Sequence, residues 1–174
     1  HGNVKELQRL GMFGTSLYGP MASWLESHSL HRTYGVLCNS DYTRGLVAPR
    51  ARRTWLAPNA IRSEFFQPAT NTKRCSIPTL VNVGVVGPRK RQLELLRMIK
   101  KIVDSGRKMQ IFFAGSLSEY SEYGATFAAE LKTAEAEGYA RFAGFLNVQE
   151  LVKLLDSSHA FLHFPSEEAF GLVV

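Results

Sequence analysis

From residue 79 onward, short apolar runs alternate with segments of helical periodicity, and this alternation constrains the fold more than any other feature of the chain. Four of the runs have the length of a strand: Thr79–Val86, Met109–Gly115, Tyr139–Phe145 and Ala160–Pro165. Most are apolar on both faces, as strands of a parallel sheet are when helices cover both of its sides. We therefore predict an α/β fold built on a parallel sheet.

Three helices are predicted between these strands, over Arg89–Ser105, Ser118–Glu137 and Asn147–Ser157. In the first, Leu95, Ile99, Ile102 and Val103 recur at helical spacing. In the last, Asn147 and Glu150 have the spacing of a capping box, in which each side chain accepts from the backbone N–H of the other residue.

The first part of the chain reads differently. A helix is predicted near Thr15–His31, and short strands at Gly35–Ser40 and Arg53–Pro58. Residues 67–78 are polar, bracketed by prolines and without periodicity, which is typical of a linker. The predicted organisation is thus a first unit over residues 1–66, a linker over 67–78 and a second unit over 79–174.

Composition narrows the class of protein. The two cysteines, Cys38 and Cys75, are far apart, so a disulfide framework or zinc site is not indicated, and a reducing, cytoplasmic location fits. The net charge of +6 is concentrated in clusters such as Pro49–Arg53 and Pro88–Arg91. Such clusters suit a polyanionic partner or an anionic membrane surface, and equally an ordinary basic surface. The neighbouring aromatic residues do not have the pattern of a stacking platform, so nucleic acid is not the expected partner.

Each predicted strand of the second unit ends in a distinctive loop. The loops carry Gly84 with "GPRK", Ala114–Ser116, Gly144–Asn147 and, last, "SEEAFG". In open parallel sheets, ligands bind beyond the carboxyl ends of the strands. We therefore expect glycines, cations and carboxylates to form one binding site at that edge.

Five segments, in this order, carry a family resemblance: "CNSDYTRGLV" (Cys38–Val47), "LAPNAIRSEFFQP" (Leu56–Pro68), "LVNVGVVGPRK" (Leu80–Lys90), "FAGF" (Phe142–Phe145) and "FPSEEAFGLVV" (Phe164–Val174). With them the chain resembles the retaining, nucleotide-sugar-dependent glycosyltransferases of family four, which have the GT-B fold of two Rossmann-like domains. The resemblance implies the end of the acceptor-side domain, a linker and the first part of the donor-binding domain. A chain with only these parts is expected to be inactive by itself.

The resemblance also implies roles for acidic and cationic residues. Glu168 would accept hydrogen bonds from hydroxyls of the donor sugar, and His1 would line the reaction cleft. Lys90 would bind the donor diphosphate. Val85 stands where the family usually has an arginine, and Arg89 is the candidate to replace it.

Backbone groups complete the implied donor site. The amides of four residues at the start of a helix would hold the diphosphate: Phe170, Gly171, Leu172 and Val173. Gly171 would let the backbone come close to the ligand, and Gly84 is a further donor-binding residue. The loop of Gly144, Phe145 and Leu146 would recognise the base of a UDP or GDP donor.

The function that the resemblance implies is transfer of a sugar from a nucleoside-diphosphate donor to an acceptor, with retention of configuration. The acceptor would be a glycan, a lipid-linked sugar or a small molecule, and the protein would lie in the cytoplasm or at a membrane face. No D-x-D pattern occurs, so neither a metal ion nor another cofactor is expected. Three alternatives stay open: a nucleotide-sugar epimerase of the same fold, a non-catalytic module that binds a nucleotide-sugar or a protein partner, and a basic α/β domain that binds nucleic acid.

Overall fold

The computed structural model of the protein describes residues 18–67 and 74–166. Within these ranges the chain forms two compact units, residues 18–60 and residues 61–166. Each unit combines parallel strands with helices, so the predicted α/β class is confirmed.

The first unit alternates helices and strands in the order α1 (Tyr18–Arg32), β1 (Val36–Cys38), α2 (Asp41–Val47) and β2 (Thr54–Leu56). The two strands pair in parallel, with Val36 opposite Thr54. Both lie inside the strands predicted from the sequence and are shorter than predicted.

Two side chains organise this unit. Helix α2 begins after Ser40, whose hydroxyl accepts a hydrogen bond from the backbone N–H of Thr43 at 3.1 Å, as an N-cap residue does. Arg50, beyond α2, donates to the hydroxyl of Ser27 at 3.1 Å and lies 3.4 Å from a carboxylate oxygen of Glu26. The turn after α2 is thereby attached to α1.

The second unit begins with a 3-10 helix at Ser63–Phe66. Its regular elements follow in the order β3 (Thr79–Val83), α3 (Gln92–Asp104), β4 (Gln110–Ala114), α4 (Glu122–Ala136), β5 (Ala140–Gly144), α5 (Val148–Ser157) and β6 (Ala160–Phe161). The four strands form one parallel sheet in the order β5-β4-β3-β6.

The core of this unit lies between the sheet and helices α3 and α4. Leu95, Leu96 and Ile99 of α3 are fully buried, which confirms the helical periodicity seen in the sequence. Phe113 of β4 meets Phe127 of α4 edge to face, with ring centroids 5.1 Å apart.

Two helices begin later than the sequence predicted. Helix α3 begins at Gln92 rather than Arg89, because the N–H groups of Lys90 and Arg91 both bond to the carbonyl of Gly87 in a tight turn. Helix α4 begins at Glu122 rather than Ser118, and Ser121 caps it.

The predicted capping box at the start of α5 is confirmed. The N–H of Glu150 donates to Oδ1 of Asn147 at 2.9 Å, and the N–H of Asn147 donates to Oε2 of Glu150 at 2.9 Å. This cap defines where the loop after β5 ends.

The predicted linker is described only in part. Cys75 donates its N–H to the carbonyl of Ser157 at 3.0 Å, so residues 74–78 run beside the end of α5. Residues 68–73 lie outside the described parts of the chain, and the predicted boundaries of the two units stay a prediction.

Candidate functional site

The strand order of the second unit creates one crevice at the carboxyl edge of the sheet. The chain proceeds from β3 to β4 and β5 on one side, and then returns to place β6 on the other side of β3. The order in which the chain adds strands to the sheet therefore reverses between β3 and β6, which makes this position a topological switch point. Such a switch point is where open α/β sheets bind ligands.

Hydrogen bonds join the two loops at this point. Ser166 donates to the backbone carbonyl of Arg89 with its N–H at 2.8 Å and with its hydroxyl at 3.2 Å. The side chain of Asn82, at the end of β3, donates to the carbonyl of Leu162 at 2.8 Å. The cationic loop after β3 and the segment that leads from β6 toward Glu168 are thus neighbours.

Lys90 and Arg89 differ in their surroundings. Lys90 is half-buried, and its side chain lies over the end of β3, since a Cβ placed on Gly84 would be 3.9 Å from its Cε atom. The side chain of Arg89 is exposed. Of these two predicted donor-binding cations, Lys90 is therefore the one whose stem is held against the strand end.

A buried glutamine, Gln92, holds the first part of the loop that follows β3. Its side chain is 1% exposed, and its amide nitrogen donates to the carbonyl of Val85 at 3.1 Å. Its amide oxygen accepts from the N–H of Gly87 at 3.2 Å. The N–H of Val86, which lies between them, bonds to the carbonyl of Ser116 at 2.9 Å, so one side chain satisfies the backbone acceptor and donor on either side of it.

Arg91 has an unusual backbone at the N-cap of α3. Its φ of 55° is in the left-handed region, where a side chain with a Cβ costs about 1–2 kcal/mol. Its guanidinium carbon lies 5.7 Å from the ring centroid of Phe164, which follows β6. The residue therefore spans the same two loops that Ser166 joins.

Glycines at the ends of β3 and β4 allow the strands to lie unusually close there. A Cβ on Gly115, whose φ is +146°, would overlap the backbone carbonyl oxygen of Gly84. Gly115 in turn donates its N–H to the carbonyl of Gly144 at 2.8 Å. The glycines predicted at three strand ends are thus in one row along the edge.

A pocket of about 220 Å³ opens beside this row. It is lined by residues from the ends of β3, β4 and β5 and from α5, namely Val83, Gly84, Val85, Ala114, Gly115, Ser116, Phe145, Leu146 and Leu151. Its volume is below the ~300–1,000 Å³ of sites for drug-sized ligands. It therefore suits one apolar or planar part of a larger ligand.

The amino end of α3 is capped by a tyrosine from α4. The hydroxyl of Tyr123 accepts from the N–H of Leu93 at 2.8 Å and donates to a carboxylate oxygen of Glu94 at 2.7 Å. Burial, and then the hydrogen bond to Glu94, raise the pKa of Tyr123 above its usual value. The phenol stays protonated, and one N–H of the helix end already has a partner.

Several predicted site residues lie outside the described residues: His1, Glu168, Phe170, Gly171, Leu172 and Val173. Their roles stay predictions, as do those of Gly84, Arg89, Lys90, Gly144, Phe145 and Leu146, which the structure does describe. Within residues 18–67 and 74–166, no three His, Cys, Asp or Glu side chains are grouped so as to hold a metal ion. The helices in these same ranges are too short or too polar to cross a membrane.

Sequence reasoning missed Gln92, Arg91 and Ser166. Gln92 could have been found, because it is a polar residue on the helix face that also carries Leu95, Leu96 and Ile99. Nothing in the sequence distinguishes Arg91 from its neighbours, since arginine is not typical of a left-handed position.

Comparison with known proteins gives a family match. A family model described as "Glycosyl transferases group 1" matches residues 64–174. No curated protein sequence matches the chain.

Solved structures share the fold at low sequence identity. A glycosyltransferase from Rickettsia africae has a TM-score of 0.65 at 11% identity, over 81% of this chain and 41% of its own length. HepE from Anabaena, solved with UDP and glucose, has a TM-score of 0.64 at 15% identity, over 86% and 43%. Sucrose-phosphate synthase from Thermosynechococcus elongatus has a TM-score of 0.63 at 15% identity, over 98% and 44%.

The chain thus spans less than half the length of each of these three structures. The likeness extends through both units, and the predicted GT-B type of α/β fold is confirmed.

Proposed function

Because the chain belongs to the glycosyl transferases group 1 family, we propose that this protein transfers a sugar from a nucleoside-diphosphate donor to an acceptor, with retention of configuration. The proposal includes the retaining family-four type, a UDP or GDP donor and a reaction without a metal ion. The acceptor class, whether glycan, lipid-linked sugar or small molecule, is left open.

The observation that carries the proposal is the junction of the loops after β3 and β6. Ser166 bonds to the carbonyl of Arg89, and Lys90 lies over the strand end beside it. A cation fixed at the switch point of a parallel sheet is suited to a diphosphate.

The apolar pocket is suited to bind the base of the nucleotide. Val85 and Phe145 flank it and are 65% and 83% exposed, so a planar ring could cover two apolar side chains that water otherwise contacts. Gly84 lines the pocket, and the side chain of Lys90 also lies beside Gly84. The proposed base site and the proposed phosphate-binding lysine are therefore close to each other. One nucleotide can therefore place its base in the pocket and its phosphates beside Lys90.

In the proposed reaction, the acceptor hydroxyl attacks the anomeric carbon on the face from which the diphosphate departs. A bond forms to the acceptor oxygen, the bond to the phosphate oxygen breaks, and the acceptor proton passes to the departing phosphate. Lys90 would stabilise the negative charge that develops there, as fixed cations do in phosphoryl chemistry. By resemblance, Glu168 would orient the sugar and the amides of residues 170–173 would share the phosphate charge.

Titration calorimetry with UDP and GDP is the first test. We expect one of them to bind, and Lys90→Ala to weaken that binding about 10- to 100-fold, since a hydrogen bond to a charged group contributes about 1.5–3 kcal/mol. Lys132→Ala, which removes an exposed lysine from α4, is the matched control and should bind as the wild type does. Failure of both nucleotides to bind the wild type would contradict the proposal.

Turnover assays separate the alternatives when they are made on a protein that holds both whole domains, since a chain with only part of each is expected to be inactive. Transfer that persists in EDTA, is lost in Glu168→Gln and gives a product with the anomeric configuration of the donor supports the proposal. Release or epimerisation of the sugar without an acceptor would instead indicate an epimerase.

A non-catalytic module is the second candidate, and Val85 favours it. This exposed apolar residue occupies the position where the resemblance leads one to expect an arginine. Tight binding of a nucleotide-sugar without turnover, for any acceptor class and in a protein that holds both whole domains, would support this candidate over the enzyme.

A further inference from the structure

Arg91 is the only residue other than glycine with a positive φ in the described parts of the chain. Strained backbone of this kind persists where the surrounding structure imposes it, and it is frequent at ligand sites. We propose that Arg91 is a second cationic residue of the donor diphosphate site; this inference rests on the proposed function.

The guanidinium of Arg91 is positioned by an aromatic ring. It lies 5.7 Å from the ring centroid of Phe164, and therefore between the loops after β3 and β6. Contact with an aromatic face leaves the N–H groups at the edge of the guanidinium able to donate. The contact thus orients the cation without using its hydrogen bonds.

The charge of Arg91 is not balanced by a carboxylate of residues 18–67 or 74–166, whereas in helix α3, which follows it, Arg97 pairs with Glu130 and Lys100 with Asp104. Arg91 is nevertheless half-buried. A half-buried guanidinium with an unused hydrogen-bonding fork is well matched to the paired oxygens of a phosphate.

A donor diphosphate requires more positive charge than Lys90 alone supplies. The diphosphate of a nucleotide-sugar carries two negative charges, while Val85 contributes no charge to the site. Tyr123 already accepts from the N–H of Leu93, so the amino end of α3 offers fewer free donors to an anion. A side chain has to supply the remaining charge, and Arg91 is held at the crevice.

A purely structural role for Arg91 makes the opposite prediction, and Arg91→Gly distinguishes the two. Glycine adopts the left-handed conformation without penalty, so this substitution removes strain together with the charge. A structural role predicts that any loss of nucleotide affinity comes with a lower melting temperature and is equal for nucleotides with one or two phosphates. The proposed role predicts binding about 10- to 100-fold weaker, with a melting temperature that is unchanged or raised.

The experiment is calorimetry with UDP and GDP, and with UMP and GMP as probes that have one phosphate fewer. For whichever base binds, Arg91→Gly should weaken the diphosphate more than the monophosphate, and Arg91→Lys should recover part of the loss. Arg107→Ala is the control, because it removes an exposed charge just before β4, at the opposite edge of the sheet. If Arg91→Gly does not fold, Arg91→Asn serves instead, since asparagine tolerates the left-handed conformation.

The outcomes separate this inference from the proposed function. If the wild type binds neither nucleotide, both fail. If Lys90→Ala weakens binding while Arg91→Gly binds as the wild type does, the proposed function stands and the role of Arg91 is wrong. An equal loss for monophosphate and diphosphate would also overturn it, because Arg91 would then affect a part that both nucleotides share and not the second phosphate.

Discussion

Gln92 illustrates how one buried side chain sets the shape of a functional loop. Its amide bonds to Val85 and Gly87, so it holds both ends of the bend between β3 and the cationic residues. The N–H of Val86 bonds to the carbonyl of Ser116 after β4, and the two bonds from Gln92 define the backbone on either side of Val86.

We expect Gln92→Leu to lower the free energy of unfolding by about 2 kcal/mol, because it leaves a buried backbone donor and acceptor without partners. Urea denaturation measures the change, and nucleotide affinity should fall in parallel as the loop loses its conformation. Gln149→Leu, which changes an exposed glutamine on α5, is the control. Equal stabilities of Gln92→Leu and the control would show that the loop does not depend on Gln92.

At the scale of elements, helices α3 and α4 are joined by polar contacts on the solvent side of their apolar interface. Tyr123 links its own helix to the backbone of Leu93 and to Glu94. Arg97 of α3 bonds to the carboxylate of Glu130 of α4, with Nε 3.0 Å from Oε2. The Arg97 pair is exposed, so screening by water limits its contribution.

Tyr123 makes this interface sensitive to alkaline pH. Its pKa is raised in the folded state, above the ~10 of an unfolded chain, so its contribution to stability is complete below about pH 10 and declines as the pH rises further. We expect Tyr123→Phe to cost about 1–2 kcal/mol at neutral pH through the lost hydrogen bonds. The difference from the wild type should shrink above about pH 10.

Urea denaturation at neutral pH and at about pH 10.5 checks this expectation. Tyr120→Phe is the control, since Tyr120 is fully exposed and should show no such pH-dependent difference. If the wild type and Tyr123→Phe differ in free energy of unfolding by the same amount at both pH values, the pKa of Tyr123 is not raised in the folded state.

At the scale of the whole molecule, the net charge of +6 raises the question of polyanion binding. A protein that binds duplex DNA through 6–10 phosphate contacts loses about 10³–10⁵ in affinity between 50 and 200 mM salt. A site with two cations for one diphosphate responds far less. We expect UDP or GDP affinity to fall by less than about tenfold over this range, as measured by calorimetry, and duplex DNA to bind more weakly than the nucleotide at 200 mM salt. Tighter binding of DNA there would favour the nucleic-acid alternative.

The parts of this fold that could be predicted are those in which the interacting residues are close in the sequence. The capping box of Asn147 and Glu150 spans a single helical turn, and it was predicted residue by residue. The predicted starts of α3 and α4 were wrong by a few residues. A turn closed by the carbonyl of Gly87 precedes α3, and Ser121 caps α4, and the apolar pattern reports neither. The sequence predicted that glycines lie at the strand ends. It did not predict that they form one row along the edge of the sheet, because the row depends on the order of the strands.

By itself the sequence determined the α/β class, the order of strands and helices, and the loops that carry cations and glycines. These follow from local periodicity and local hydrogen bonds. Only the tertiary structure decided that β6 returns beside β3, that Asn82 reaches Leu162 eighty residues away, and that Arg91 is turned into a left-handed conformation against Phe164. Such contacts join residues far apart in the chain, and their geometry arises from packing of the whole sheet rather than from the preference of any one residue.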